Sequence, residues 1–438
     1  MEMKRIIEEE LLAWKDDTRR KPLLLHGARQ VGKTYSVMEF GRKHFDETVV
    51  ADLERNRSLH RIFEGDLDAR RILEGIGIAL DCTIVPGRSL LFLDEIQACA
   101  RAVVALRYLH EEVPGLHVVA AGSLLEFALG EIPFPVGRIR MERMLPLTFV
   151  EFLWAVGRDR LAGIALSPPG EVPEPGHRLL LEELRKYFFV GGMPESVKAW
   201  VETGSMRECG RVQRDLCESF REDFAKYAPR SDPRCLDSVF VGVARNVGRR
   251  IKYTRLAEGF SPPTIKKAFG LLEKAQVVTL VPAASPAGLP SGASASTGRF
   301  KALMLDIGLM QHLKALPVDA EFARGDLLAI HEGAMAEQFV GQEMRATQPS
   351  GLFYWSREAR GSSAEVDYLA SVDGKVVPVE VKGGASGRLR SMHMLLGSHP
   401  CPYGIVLSAA PYSGSPDGRL RFVPLYHAYS STMSRATT

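Results

Sequence analysis

Gly27-Ala28-Arg29-Gln30-Val31-Gly32-Lys33-Thr34 is the stretch that decides how this chain is read. Glycine, four free positions and then Gly-Lys-Thr is the spacing of a loop that wraps phosphate groups. Gly27 and Gly32 let the backbone turn and bring N–H groups close to phosphate oxygens. Ala28, Arg29, Gln30 and Val31 complete that backbone cradle. Lys33 can reach β- and γ-phosphates, and Thr34 can offer its hydroxyl to Mg2+. The flanks agree. Leu23-Leu24-Leu25 is a short apolar run that reads as a buried strand. From Lys33 onward the pattern is helical, with the helix N-terminus facing the phosphates.

Outward from the loop, Leu90-Leu91-Phe92-Leu93-Asp94-Glu95 reads as a central parallel strand ending in two acids. That is the end at which open α/β sheets bind ligands. Asp94 is placed to hold the magnesium ion through water, and Glu95 to orient and deprotonate an attacking water. A third strand, His117 to Ala121, ends in Gly122-Ser123. Ser123 either touches the γ-phosphate or only caps a turn. Arg138, Arg140 and Arg143 either stabilise transition-state charge, in cis or in trans, or lie on the surface. The fold class expected is α/β: a parallel-sheet ATPase core at 1–162, a helical lid at 177–230, a winged-helix-like part at 231–284 and an α/β C-terminal domain at 299–438.

The ordered set of motifs resembles a prokaryotic family with an AAA-type ATPase domain and a C-terminal domain of formerly unknown function. Gly-Ala-Arg-Gln-Val-Gly-Lys-Thr, Leu-Phe-Leu-Asp-Glu-Ile-Gln, Gly-Arg-Ile-Arg and Leu-Pro-Leu-Thr-Phe-Val-Glu-Phe-Leu follow in that order. Gly-Gly-Met-Pro-Glu (191–195) and Leu-Asp-Ile-Gly-Leu (305–309) come later. The resemblance covers nearly the whole chain and implies ATP binding. Ser123 stands where related ATPases usually have asparagine or threonine.

Length and composition set the bounds. A chain of 438 residues suggests two to four domains. Hydrophobic residues at 45% and charged residues at 25% are globular values, and a formal net charge of +3 leaves any nucleic-acid surface to local patches. The six cysteines are scattered, without a Cys-x-x-Cys pair, which indicates neither a disulfide framework nor a zinc site. The N-terminus is charged and helical in pattern, with no signal-peptide core, and no run of about 18 apolar residues occurs. The expectation is a soluble cytoplasmic protein without a membrane span.

Gly163 to Gly176 reads as a loop and Arg178 to Tyr227 as helices interrupted at Gly191-Gly192-Met193-Pro194. Lys252 to Glu258 reads as a short helix. Ser261 is an N-cap with Pro262 at the first helical position, followed by a helix to about Lys274 and a strand Val277 to Val281. This order resembles a winged helix. Residues 231–275 hold nine Lys or Arg against four Asp or Glu. The excess suits either DNA phosphates or a solvated basic face. Ala283 to Gly298 is a low-complexity wing tip or linker.

Asp373-Gly374 is a two-residue hairpin signal. With these two as the loop, Val372 pairs with Lys375, Asp367 falls across from Glu380 and Glu365 across from Lys382. Val377, Val379 and Val381 then face a core. Two opposed carboxylates about 5 Å apart repel, and a divalent cation resolves the conflict. Lys382 lands beside them. Asp367 followed by Glu380-Val381-Lys382 resembles the PD-(D/E)xK nuclease superfamily, which implies a metal held by Asp367 and Glu380, with Glu337 as the equivalent of a helical glutamate, and Lys382 in catalysis. Ile405-Val406-Leu407 supplies a later core strand. The other reading is a surface hairpin with a minor Glu365–Lys382 ion pair. His26, His331 and His393 read as packing or surface residues. The expected ligands are ATP and Mg2+. DNA is the expected partner, and a second copy or another protein is left open. Two functions stand against each other: an ATPase coupled to a metal-dependent nuclease-like domain, and a nucleotide switch with a partner-binding module.

Overall fold

The computed structural model describes residues 3–123, 125, 135, 137–227, 231–286, 296–315, 332–359, 362–382 and 389–434. The chain divides into two compact units, one holding Lys4–Pro146 and Lys274–Gln276, the other Leu147–Glu273 and Val277–Thr438. The four-part division expected from the sequence is finer than this.

In the first unit five short runs form strands: β1 (Leu23–His26), β2 (Glu47–Asp52), β3 (Ser89–Asp94), β4 (His117–Gly122) and β5 (Arg140–Arg143). They lie in the order β2-β3-β4-β1-β5 and every pairing is parallel. Every residue of β3 and β4 is buried, as expected of strands covered on both faces. Ile72, Ile76, Val103, Leu106 and Leu109, from helices Ala69–Leu80 and Ala100–Glu112, share one core cluster with Leu91 and Leu93. Because all five strands run the same way, their C-terminal ends share one edge. Gly27, Glu95 and Ser123 follow three of those ends.

The second unit contains a mixed sheet of β6 (Val278–Ala283), β7 (Ser296–Met304), β8 (Phe353–Ala359), β9 (Ser362–Val372), β10 (Lys375–Val381), β11 (Gly404–Ser408), β12 (Ser413–Gly414) and β13 (Leu420–Pro424). Their order is β12-β13-β11-β10-β9-β8-β6-β7. β8, β9 and β10 form an antiparallel meander, and β11 joins β10 in parallel. Asp373 and Gly374 have φ of 48° and 74°, the left-handed pair a two-residue hairpin requires. The expected register holds from Lys375 opposite Val372 to Val379 opposite Tyr368.

The helical region follows the expected interruptions, with helices Glu174–Val190, Pro194–Thr203 and Met206–Tyr227. The loop expected from Gly163 to Gly176 is shorter. Helix Asp159–Leu166 runs into it because Ala162 and Ala165 bury one face, and helix Glu174–Val190 begins inside it because Pro175 is tolerated in a first turn. The expected helix from Lys252 to Glu258 is a single 3-10 turn, Tyr253–Arg255. Helix Pro262–Lys274 then starts where the Ser261 cap placed it. β6 and β7 form the following hairpin, Ile251 bridges to Phe300, and Ala283 of β6 pairs with Tyr354 of β8. Residues 287–295 of the low-complexity segment, and His331, lie outside the described residues.

A buried polar network accounts for three of the ordered motifs. Asp306 accepts hydrogen bonds from the N–H groups of Gly192 (2.6 Å), Gly308 (2.9 Å) and Leu309 (3.1 Å). A Cβ on Gly191 would run into Asp306, and one on Gly192 into the carbonyl of Leu147. Thr148 and Glu151 form a capping box for helix Phe149–Ala155, and the Phe149 N–H donates to Glu343 (3.0 Å). Leu-Pro-Leu-Thr-Phe, Gly-Gly-Met-Pro-Glu and Leu-Asp-Ile-Gly-Leu therefore meet in one joint and act as scaffold.

Candidate functional site

The octapeptide joins β1 to helix Lys33–His44, as the strand–loop–helix pattern required. Gly32 (φ 94°) and Gln30 (φ 63°) are left-handed, so the turn is made partly by a non-glycine residue. Gly27 is needed for a second reason: a Cβ there would strike the carbonyl of Met144, just past β5. Lys33 Nζ donates to the carbonyls of Gly27 (3.0 Å) and Ala28 (2.8 Å), and burial lowers its pKa to about 8. Thr34 Oγ1 donates to Asp94 Oδ2 at 2.9 Å, while Asp94 Oδ1 accepts from the N–H of Glu95 (3.0 Å). Burial raises the Asp94 carboxyl above its ordinary range, and the Thr34 hydrogen bond opposes that rise. A hydroxyl and a carboxylate brought together beside a phosphate loop are the donor set that Mg2+ takes with a nucleoside triphosphate, so these residues fit that ion.

Glu95 has φ 46°, a left-handed conformation that costs a residue with a Cβ, of order 1–3 kcal/mol. Its Oε2 accepts from Gln97 Nε2 (2.5 Å) and from Ser123 Oγ (3.1 Å). Arg29 Nε donates to the same serine hydroxyl at 3.4 Å. Ser123 thus lies between the loop and Glu95, buried at the tip of β4. Two residues of this site escape a motif reading. Gln97 stands in the strand motif, whose pattern gives it no role. Arg5 lies far upstream, yet Nη1 donates to the carbonyl of Val31 (2.9 Å) and Nη2 to that of Leu145 (2.7 Å), clamping the loop from behind. An isolated arginine in a charged N-terminal segment gives no signal of this. His26 is the packing residue expected: burial lowers its pKa to about 4 and Gln276 Nε2 lies 3.1 Å from Nδ1.

The arginine expectation needs correction within one chain. Leu23 pairs with Arg140 and His26 with Arg143, so Arg138 lies beyond the N-terminal edge of the sheet, opposite the loop. Arg138 Nε pairs there with Glu111 (3.1 Å), and Arg140 pairs with Glu10 (2.7 Å) and Glu142 (2.8 Å). Neither reaches the Gly27–Thr34 loop in cis.

In the second unit the strand register does not extend to the expected opposition of Asp367 and Glu380, and a cation that the sequence did not suggest lies among the acids. Val377, Val379 and Val381 are buried, but so are Val376 and Glu380, so the strand is covered on both faces and is no surface hairpin. The ladder between β9 and β10 stops short of Asp367, whose Oδ2 instead accepts from the N–H of Val381 (2.9 Å). The cation that answers the acids is the ammonium of Lys301, on β7. It lies 2.8 Å from Glu337 Oε1, 2.7 Å from Glu365 Oε1 and 2.9 Å from Asp367 Oδ1. Its side chain is 1% exposed. Burial lowers the Lys301 pKa, but Asp367, Glu337 and Glu365 raise it further, to well above the ordinary lysine value. Arg250 pairs with the second oxygen of Glu365 (2.8 Å), so the Glu365–Lys382 pair of the surface-hairpin reading does not form. Lys382 donates to Glu380 Oε1 at 2.6 Å. Glu380 Oε2 is buried without a partner among the described residues, and burial pushes that carboxyl up. Among the described residues no group of three acid, histidine or cysteine side chains is arranged to hold a metal ion.

The strand order, the loop and the Thr34–Asp94–Glu95 geometry define the N-terminal part as a P-loop ATPase domain. Comparison with known families agrees: a family described as "AAA domain" matches residues 19–153. Residues 181–320 match a domain of unknown function, DUF8612, and residues 332–426 another, DUF4143. No curated protein matches. Among solved structures, the Walker-type ATPase PABY2304 of Pyrococcus abyssi is similar at 15% identity and TM-score 0.46, over 72% of this chain and 96% of that one. Drosophila ORC bound to DNA is similar at 12% identity and TM-score 0.27, over 70% and 93%. C. elegans PCH-2 is similar at 10% identity and TM-score 0.27, over 46% and 64%. No helix among the described residues is long and apolar enough to cross a membrane.

Proposed function

We propose that this chain is an ATP-driven switch. ATP is bound and hydrolysed at Gly27–Thr34, Asp94 and Glu95, and the nucleotide state governs a C-terminal module that engages a partner. The observation that carries the ATPase half is the 2.9 Å contact of Thr34 with Asp94, one residue from Glu95. The backbone of residues 27–34 and the Lys33 ammonium would hold the phosphates, Thr34 and Asp94 would hold Mg2+, and Glu95 is placed to take the proton of the attacking water. When bound there, Mg2+ would supply charge neutralisation for the transferring phosphoryl group. Ser123 is assigned to Glu95, and Arg138 remains available only to a neighbouring copy. Lys33→Ala should lower ATP turnover at least about 100-fold, the effect of removing one such electrostatic group. Turnover at the wild-type rate in that variant would remove the assignment.

A second reading has its own support. Asp367, Glu380 and Lys382 stand in the order of the PD-(D/E)xK nucleases on adjacent strands, and the basic segment 231–275 would suit DNA. In that reading Asp367, Glu380 and Glu337 bind a divalent ion and the output is DNA cleavage. Lys301 argues for the switch, because it already satisfies Asp367 and Glu337. Plasmid incubated with the protein, ATP and Mn2+ should stay intact. Nicking that disappears in Lys382→Ala would establish the nuclease instead.

A further inference from the structure

We infer that Lys301 is a built-in cation standing in for a divalent metal at the C-terminal acid cluster, and that the module is therefore metal-free in its working state. The inference deepens the switch reading and rests on it for the statement that the module binds and does not cut.

The argument is one of stoichiometry. A lysine ammonium has three N–H donors and no acceptor. Here three carboxylates from two elements each lie within 2.9 Å of it: Glu337 on helix Glu332–Thr347, and Glu365 and Asp367 on β9. Two of the donors make hydrogen bonds, to Glu337 and Asp367, and Glu365 closes the ring as an ion pair. Two of the three second oxygens are matched too. The second oxygen of Glu365 holds Arg250, and the second oxygen of Asp367 holds the Val381 N–H. The Lys301 side chain enters from β7, the end strand of the sheet, and its ammonium also lies 5.6 Å from the ring of Tyr354.

A small divalent ion would have to do two things this arrangement opposes. It would have to displace an ammonium that has almost no contact with water. It would also have to draw the oxygens inward to about 2.1 Å in octahedral geometry, from hydrogen-bond distances around a tetrahedral group. The strand that carries the lysine is held as well. Gln338 closes the β7 edge beside it, donating to the carbonyl of Met304 (2.9 Å) and accepting from its N–H (3.0 Å). Lys301 therefore ties β7, helix Glu332–Thr347 and β9 together electrostatically, as a bound metal would.

The test is Mn2+ uptake by the full chain without nucleotide, in an Asp94→Asn background that removes the ATPase metal ligand. Calorimetry and the electron paramagnetic resonance of free Mn2+ read the uptake. With Lys301 intact, no site is expected below millimolar Mn2+. Lys301→Gln should create one site, at least tenfold tighter, which is lost again when Asp367→Asn is added. Mn2+ binding with Lys301 intact that Asp367→Asn abolishes overturns the inference, whether or not the Lys301 variant folds. A Lys301→Gln chain with native circular dichroism that takes up no Mn2+ overturns it equally. ATP turnover of the chain with Asp94 restored is read separately, so failure of the ATPase assignment is seen apart from either result.

Discussion

Glu95 illustrates how much a single residue can be constrained in an ATPase domain. It is left-handed in backbone and its Oε2 is shared by Ser123 and Gln97. In the proposed function the serine therefore positions Glu95 more than it contacts phosphate. Ser123→Ala should lower kcat for ATP by about tenfold, a modest fraction of what a general base contributes, with KM unchanged. Ser123→Thr should restore it, because the hydroxyl is kept. Steady-state kinetics decide the matter, since a raised KM at constant kcat would return Ser123 to the phosphate. The motif residues themselves were legible in the sequence because loop chemistry forces their spacing. Arg5 and Lys301 were not, since each acts across a large sequence separation and belongs to no local pattern.

Elements were most legible where one local rule dominated. The Asp373-Gly374 turn fixed a register that continues for five residue pairs, and Ser261-Pro262 fixed a helix start. Reading failed where a distant partner overrode the local pattern, as when Arg250 and Lys301 took Glu365 from Lys382. Helix Glu332–Thr347 supplies another such partner. Glu343 on it is fully buried and accepts from the Phe149 N–H, and burial raises its pKa to about 8 from an unfolded value near 4.3. Between those values the native state binds more protons than the unfolded chain. Stability contributed here is thus complete below about pH 4.3 and is lost as pH rises through about 8. Asp306, raised by burial to about 6, adds loss in the same direction between about pH 4 and 6. The Tm of the second unit should fall by several degrees from pH 5 to pH 8, and Glu343→Gln should flatten that fall while keeping the acceptor for Phe149. An equally steep fall in the variant, measured by calorimetry, would place the titration elsewhere.

At the scale of the molecule, two sheets of opposite character share one chain. The first is wholly parallel, so every strand pairing needs a crossover, and strong periodic strands made that architecture readable. The second is mixed. Its membership was hidden because the strand at Val277 to Val281, within β6, read as part of the winged-helix-like region, and no strand was read at β7. The first unit also recruits Lys274–Gln276, and Gln276 meets His26 at the end of β1. That return of the chain has a consequence in time. Translation adds roughly 5–20 residues per second. All five strands of the nucleotide-binding sheet have been made once Arg143 is added, yet the segment that meets His26 comes about 130 residues later. For on the order of ten seconds of synthesis the nascent ATPase fold would wait for its last piece.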